Sequence, residues 1–156
     1  MEVPVKKHKN IKVLLVDDEV DFVNTLAQRL KMRDLNVSCV YDGEQGLSRV
    51  KEAEPDVLVL DLKMPGLQGM DVLREVRKTN PNMQVIILTG HGTEKDEEEA
   101  RRLGGFDFLS KPADIDLLMI KIKEAYAEKI ERAMTAITFA EEGVFDTARK
   151  IMKKEE

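Results

Sequence analysis

The chain has 156 residues, of which 42% are hydrophobic, 35% are charged and only 4% are aromatic. This length suits one domain with a buried core, and the apolar fraction excludes a disordered chain. The 30 acidic and 25 basic residues give a net charge of −5, which argues against general nucleic-acid binding. One cysteine excludes an internal disulfide framework, and no apolar run approaches the roughly 20 residues of a membrane span. We therefore expect a cytoplasmic protein without membrane contact.

Short apolar segments alternate with segments of helical periodicity through most of the chain. Buried strands are predicted at residues 11–16, 37–41, 56–60, 85–88 and 106–109. Helices are predicted at residues 20–30, 46–53, 70–76 and 94–103, and a fifth begins near residue 114. The alternation predicts βαβ units and a doubly wound α/β fold, with a five-stranded parallel sheet and helices on both faces.

Charged and hydroxyl side chains stand at the ends of four predicted strands. Asp17 and Asp18 follow the first strand, Asp61 the third, Thr89 the fourth and Lys111 the fifth. Ligands of such folds bind beyond the carboxyl ends of the strands, so these residues should meet at one edge. Three carboxylates there must protonate, be solvated or share a cation, and an oxygen-rich site suits Mg²⁺. With lysine and threonine as donors, the set is suited to phosphoryl transfer onto a carboxylate.

These residues resemble the receiver domain of bacterial two-component response regulators. The matching segments are Asp17-Asp18, Asp61-Leu62-Lys63-Met64-Pro65 with Gly69, Thr89-Gly90, and Lys111-Pro112. The resemblance covers about residues 11–128 and implies a flavodoxin-like strand order, 2-1-3-4-5. We therefore expect a receiver domain at residues 1–128 and a C-terminal helical extension at residues 129–156.

The resemblance implies a role for each matched residue. Asp61 is the expected phosphoacceptor. Mg²⁺, or Mn²⁺ in its place, is expected on Asp18, Asp61 and the backbone carbonyl of Lys63, with Asp17 acting mostly through water. The expected ligands of the phosphoryl group are Thr89, Gly90 and Lys111.

The resemblance also implies a switch. Thr89 and Phe108 are the expected switch residues, since Phe108 matches an aromatic side chain that turns inward upon activation. Lys63 and His91 each lie two residues after a site residue, where they either tune hydrolysis of the acyl phosphate or simply face solvent. The bond between Lys111 and Pro112 is expected to be cis, which only an X-Pro bond makes inexpensive.

The fourth predicted helix is strongly charged and offers little to a core. Thr93-Glu94-Lys95-Asp96 resembles a capping box, with Asp in place of the usual Glu or Gln. Only Ala100 and Leu103 are able to pack, so this helix should be weakly held. We expect the fourth helix and the fifth strand to form the surface that changes upon phosphorylation.

The C-terminal extension differs from the rest of the chain in its charge. Residues 129–156 carry six basic and six acidic side chains, so the whole of the −5 belongs to residues 1–128. The fifth helix is predicted to run about 25 residues, roughly 37 Å, to a stop at Gly143 followed by a second helix. This hairpin would pack on its own domain, a second copy or another protein. It is too short and insufficiently basic for a DNA-binding output domain.

The leading prediction is a phosphorelay switch, not an enzyme, whose donor is a sensor histidine kinase or a phosphotransfer protein. An aspartyl-phosphate phosphatase of the haloacid-dehalogenase type is the alternative, but it needs D-x-D-x-T/V after its first strand, and residues 17–21 read DDEVD. A flavodoxin-like FMN-binding module is disfavoured because an acidic loop would repel the phosphate. A receiver that acts without phosphate is disfavoured because the acidic, threonine and lysine set is complete. The downstream partner is an unidentified protein or a second copy.

Overall fold

The computed structural model describes residues 10–105 and 107–154, in which five strands alternate with five helices. The strands are β1 (Lys12–Val16), β2 (Asn36–Val40), β3 (Val57–Leu60), β4 (Gln84–Thr89) and β5 (Asp107–Ser110). The helices are α1 (Val20–Lys31), α2 (Gly43–Glu52), α3 (Gly69–Thr79), α4 (Glu94–Arg102) and α5 (Ile115–Lys154). Phe106, the predicted first residue of the fifth strand, lies outside the described residues.

The strands form one parallel sheet in the order β2-β1-β3-β4-β5. This order and the surrounding helices confirm the predicted flavodoxin-like fold. The chain places β2 on one side of β1 and then returns to place β3 on the other side. The carboxyl ends of β1 and β3 therefore lie side by side at the point where the winding reverses, which is where ligands bind in open α/β sheets.

Two apolar layers cover the two faces of the sheet, and β1 shows how the sequence divides between them. Val13 and Leu15 belong to the layer that contains the buried residues of α1 and α5. Leu14 and Val16 belong to the layer that contains those of α2, α3 and α4. Since successive side chains of a strand point to opposite faces, an uninterrupted apolar strand is buried on both sides.

Helix α5 is a single helix of 40 residues, about 60 Å long at 1.5 Å per residue. The prediction that it stops at Gly143 and is followed by a second helix was wrong. A glycine inside a helix costs only about 1 kcal/mol relative to alanine. Because no proline follows Pro112, nothing stronger ends the helix there. None of the helices in the described ranges is both long and apolar enough to cross a membrane.

The helix α5 packs on the sheet only through its first turns. Its buried side chains are Leu118, Met119, Ile122 and Ala125. At the amino-terminal edge of the sheet, Lys129 Nζ lies 2.6 Å from Asp56 Oδ1, just before β3. From Ile130 to Val144 every side chain is exposed. The helix therefore continues beyond the sheet at the edge opposite the predicted phosphorylation site.

Candidate functional site

The site begins where β1 and β3 end. Val16 and Leu60 are partners in the sheet, which places Asp17 and Asp61 next to each other. The Asp61 N–H donates to the Val16 carbonyl at 3.0 Å, so the hydrogen bonding between the two strands extends to Asp61, the residue that follows β3. Asp17 and Asp61 are 4% and 3% exposed, which is unusual for carboxylates without a partner.

Lys111 supplies that partner from the end of β5. Its ammonium nitrogen lies 2.7 Å from Asp17 Oδ2, 3.3 Å from Asp61 Oδ2 and 3.2 Å from Glu19 Oε1. The same nitrogen stands 4.5 Å from the centre of the Phe22 ring, a distance at which a cation is attracted to the aromatic face. The side chain is only 10% exposed. One buried lysine therefore joins the carboxyl ends of three strands, two of them through carboxylates that it bridges.

The lysine leaves the site short of positive charge. Three carboxylates and one ammonium sum to −2, which one divalent cation would balance. Burial raises the pKa of the Asp17 carboxyl, and the nearby charge of Asp61 acts in the same direction against the hydrogen bond from Lys111. Burial lowers the pKa of Lys111, but the hydrogen bond and charge of Asp17 outweigh it, so the pKa is raised overall. The lysine therefore stays charged and the carboxylates favour an additional cation.

The donor set fits a hard divalent cation. Oxygens of Asp17, Glu19 and Asp61 all lie within 4.8 Å of one another, and carboxylate oxygens are ligands that Mg²⁺ accepts together with water. Glu19 was not predicted as part of the site. Its N–H donates to Asp17 Oδ1 at 2.9 Å, and this turn brings its side chain back to Lys111. Asp18 is half-buried and does not belong to this group of oxygens.

The remaining predicted residues surround the carboxylates in different ways. Thr89 is 1% exposed at the end of β4, and its Oγ1 accepts the N–H of His91 at 3.3 Å. The Lys63 N–H lies 3.4 Å from Asp61 Oδ1, whereas the Lys63 side chain is exposed, as is that of His91. Gly90 lies beside Lys111, whose own N–H donates to the Thr89 carbonyl at 3.0 Å. The backbone groups of positions 63 and 91 are thus closer to the site than their side chains.

Two glycines allow neighbouring segments to pack closely against the site. A Cβ at Gly69, the first residue of α3, would overlap the Asp61 carbonyl oxygen and lie 2.7 Å from Leu62 Cα. A Cβ at Gly92 would overlap the ring of Phe108 and lie 2.9 Å from Thr89 Cγ2. The half-buried Phe108 ring therefore rests on the β4–α4 loop at Gly92, three residues beyond Thr89. The Lys111–Pro112 peptide bond is cis.

The helix α4 is held differently at its two ends. At its start, the Thr93 hydroxyl accepts the Asp96 N–H at 3.1 Å and the Asp96 carboxylate accepts the Thr93 N–H at 3.0 Å, which is the predicted capping box. Ala100 is its one buried side chain. Its end is fastened to α3 by an ion pair between Arg74 and Glu99 and by Arg77.

Together these features define a class: a parallel α/β protein whose acidic, lysine-bridged cluster lies at the reversal point of the sheet. Residues 13–123 match the family described as the response regulator receiver domain. The chain belongs to that family, as its residues predicted. Members are phosphoacceptor switches that interact with histidine kinases or phosphotransfer proteins.

Solved structures of this family resemble the chain closely. A response regulator receiver domain protein from Clostridium thermocellum is 36% identical, with a TM-score of 0.72 over 78% of this chain and 96% of that chain. The Francisella response regulator 1452 receiver domain is 31% identical, with a TM-score of 0.71 over 76% of this chain and 98% of that one. NtrX from Brucella abortus is 28% identical with a TM-score of 0.75, but the similarity covers only 30% of that longer protein.

Proposed function

We propose that Asp61 accepts a phosphoryl group from a phosphohistidine of a sensor histidine kinase or phosphotransfer protein. The observation that carries the proposal is the buried ammonium of Lys111 between Asp17 and Asp61. An Asp61 carboxylate oxygen attacks phosphorus, the P–N bond breaks, and the histidine nitrogen keeps the electron pair and takes a proton. The product is an acyl phosphate, whose added charge Lys111 offsets.

Asp61 is a better nucleophile than Asp17 in this geometry. Both oxygens of Asp17 are engaged at short distance, Oδ2 by Lys111 at 2.7 Å and Oδ1 by the Glu19 N–H at 2.9 Å. The contacts of Asp61 are longer, 3.3 Å to Lys111 and 3.4 Å to the Lys63 N–H. Less hydrogen-bonding and ion-pair energy is therefore lost when an Asp61 oxygen forms a bond to phosphorus than when an Asp17 oxygen does.

The ligands of the phosphoryl oxygens come from β4 and β5. We assign this role to the Thr89 hydroxyl, the Gly90 backbone and Lys111. Since Lys111 also pairs with Glu19 at the exposed mouth, it can exchange that contact for a phosphoryl oxygen. The side chains of Lys63 and His91 are exposed, and we propose that they tune hydrolysis of the acyl phosphate.

The residues proposed to hold Mg²⁺, or Mn²⁺, are Asp17, Asp18, Asp61 and the Lys63 carbonyl. When bound, the cation would supply positive charge that offsets the charge of the phosphoryl group, and the local sum of −2 favours its binding. Glu19 joins these candidates because its oxygen lies in the same group as those of Asp17 and Asp61. Unlike Asp17 and Asp61, Glu19 is exposed.

The proposed output is a change at α4 and β5. Thr89 would turn toward the phosphoryl group, and the Phe108 ring, which rests on Gly92, would follow into the space released. Arg77 and Arg74 fasten the end of α4 to α3, so the movement is concentrated in the β4–α4 loop and the first turn of α4. The altered surface then engages a downstream protein or a second copy of the chain.

We further propose that residues 1–128 act as the receiver domain and residues 129–156 as an extension that carries no DNA-binding module. The neutral charge of the extension supports the second point, because its six basic residues are matched by six acidic ones. We also propose a cytoplasmic site of action, which agrees with a single, free cysteine and no disulfide framework.

The phosphoacceptor is tested by incubation with a small-molecule phosphodonor and Mg²⁺, followed by intact mass measurement. The wild type should gain one phosphoryl group, and Asp61→Asn should gain none. Asp56→Asn is the matched control, because Asp56 is also a shielded carboxylate with a lysine partner, but lies at the opposite edge of the sheet. Equal labelling of Asp61→Asn and wild type would refute the assignment.

A further inference from the structure

The exposed part of α5 carries an apolar stripe with a regular spacing. Its members follow one another at intervals of three, four, three and four residues. They are Ile130, Ala133, Ile137, Ala140 and Val144. This alternation averages 3.5 residues, the period of a coiled coil and not that of a helix packed on a globular core. In the sequence it continues to Thr147 and Ile151, so the pattern extends over about three heptads.

The α5 stripe is open to solvent. Ile137 is 58% exposed and Val144 is 71% exposed, whereas Leu118 and Ile122, earlier on the same helix, are fully buried by the sheet. The contact between Lys129 and Asp56 marks where the helix leaves the sheet. Beyond it, the 25 residues from 130 to 154 extend about 37 Å at 1.5 Å per residue. A helix that projects this far offers its stripe to another molecule.

The residue types in the stripe favour a partner helix of the same kind. Ile130, Ile137 and Val144 are all β-branched and occupy the first apolar position of their heptads, where such residues favour two-stranded parallel coiled coils. Ala133 and Ala140 occupy the other apolar position and allow close approach of two helices. A second copy presents an identical stripe, so one two-fold interface satisfies both chains.

The charges beside the stripe agree with a parallel pair. In that arrangement Glu141 of one helix faces Ala136 of the other, and Lys129 faces Met134. No like charges are therefore brought together at these positions. The extension as a whole is neutral, with six basic and six acidic residues, whereas the domains repel each other weakly through their net −5. The helices thus provide the part of the surface on which two copies can meet without electrostatic cost.

We propose that a second copy of this chain covers the α5 stripe, and that the two helices form a parallel coiled coil from about residue 130 onward. The inference rests on the proposed function in naming a second copy of the regulator as partner. It makes no use of Asp61, since the stripe projects from the opposite edge of the sheet. Dimerisation should accordingly occur with or without a phosphodonor.

The test is the mass of the full chain in solution, measured by sedimentation equilibrium over micromolar concentrations. Wild type should be dimeric. Ile137→Asp should raise the dimer dissociation constant by about 100-fold or more, because two carboxylates would face each other in the apolar seam. Phe139→Asp is the matched control: Phe139 is also exposed, at 68%, but lies on the other side of the helix. Its variant should remain dimeric.

Cysteine cross-linking reports the orientation. In a Cys39→Ser background, Ile130→Cys and Val144→Cys should each form a disulfide between identical positions of two copies. Cross-linking only in a mixture of the two variants would show antiparallel helices and overturn the proposal. A wild type that stays monomeric, or equal dissociation by Ile137→Asp and Phe139→Asp, would also overturn it. Phosphoryl labelling of Ile137→Asp is measured separately, so that a failed dimer is distinguished from a failed phosphoacceptor.

Discussion

Arg77 makes the least expected tertiary contact in the structure and allows a quantitative prediction. Its guanidinium donates to the carbonyls of Leu103 at 2.6 Å, Gly104 at 2.7 Å and Met83 at 2.6 Å. These carbonyls belong to the end of α4, the loop after it, and the loop before β4. Burial lowers the pKa of Arg77, so its charge is partly desolvated and is balanced by backbone oxygens. We expect Arg77→Met to release the end of α4 from α3.

The size of the effect follows from these contacts. A hydrogen bond to a charged group contributes about 1.5–3 kcal/mol, and the bonds to Leu103 and Met83 are partly buried. The bond to Gly104 is exposed and adds less. Part of this loss is offset, because water can hydrate the freed carbonyls and because the variant no longer buries a charged guanidinium. The free energy of unfolding should therefore fall by about 2–4 kcal/mol.

Urea denaturation measures this fall, and Arg74→Met is the matched control. Arg74 also joins α3 to α4, but its side chain is 45% exposed and its partners Asp71 and Glu99 are carboxylates at the surface. Such pairs contribute about 0–1 kcal/mol. Hydrogen exchange should quicken at the end of α4 in Arg77→Met and not in Arg74→Met. The reasoning would be refuted by a loss below 1 kcal/mol for Arg77→Met, or by equal losses for the two variants.

Three further outcomes follow from the structure. Gly69→Ala should lower the free energy of unfolding by about 1–3 kcal/mol, because the new methyl overlaps the Asp61 carbonyl; urea denaturation measures this loss. Gly92→Ala should mainly displace the Phe108 ring, which fluorine or proton NMR of the ring detects. Lys111→Met should reduce stability by leaving buried carboxylates unpaired, and Mg²⁺ should restore part of it in a thermal melt; no response to Mg²⁺ would contradict the cation site. The backbone hydrogen bond from Thr93 lowers the pKa of Asp96, so the ionised form stabilises α4 above pH about 4 and this contribution disappears as the pH falls through the lowered pKa. Asp96→Asn should remove that acid-dependent fraying in NMR; unchanged fraying would exclude the carboxylate as its cause.

The carboxyl-edge site could be predicted from the sequence because each part has a local signal. Asp17 and Asp61 end uninterrupted apolar strands, and in a parallel sheet all strand ends of one kind meet at the same edge. The strand order then follows from the family resemblance. The parallel topology by itself places these side chains at one edge of the sheet.

The features that were missed depend on contacts between distant segments or on weak local penalties. Arg77 reaches carbonyls about 26 positions further along the chain, and nothing in its own segment indicates a backbone partner. Glu19 joins the site through a turn closed by its own N–H on Asp17. Gly143 was interpreted as a helix stop, but a cost of about 1 kcal/mol does not end a helix that residues on both sides favour.

The position of Arg77 also bears on how phosphorylation at the acidic cluster would change the structure of α4. Helix α4 is fastened at its end and held at its start by a capping box, so it cannot move as a rigid body without breaking the partly buried hydrogen bond from Arg77 to the Leu103 carbonyl. The capping box is exposed, and the contact of the β4–α4 loop at Gly92 is with a half-buried Phe108 ring, so both are less costly to rearrange. The free energy that one acyl phosphate supplies through Thr89 and Lys111 is therefore better matched to a local change near residues 90–96 than to a displacement of the whole of α4.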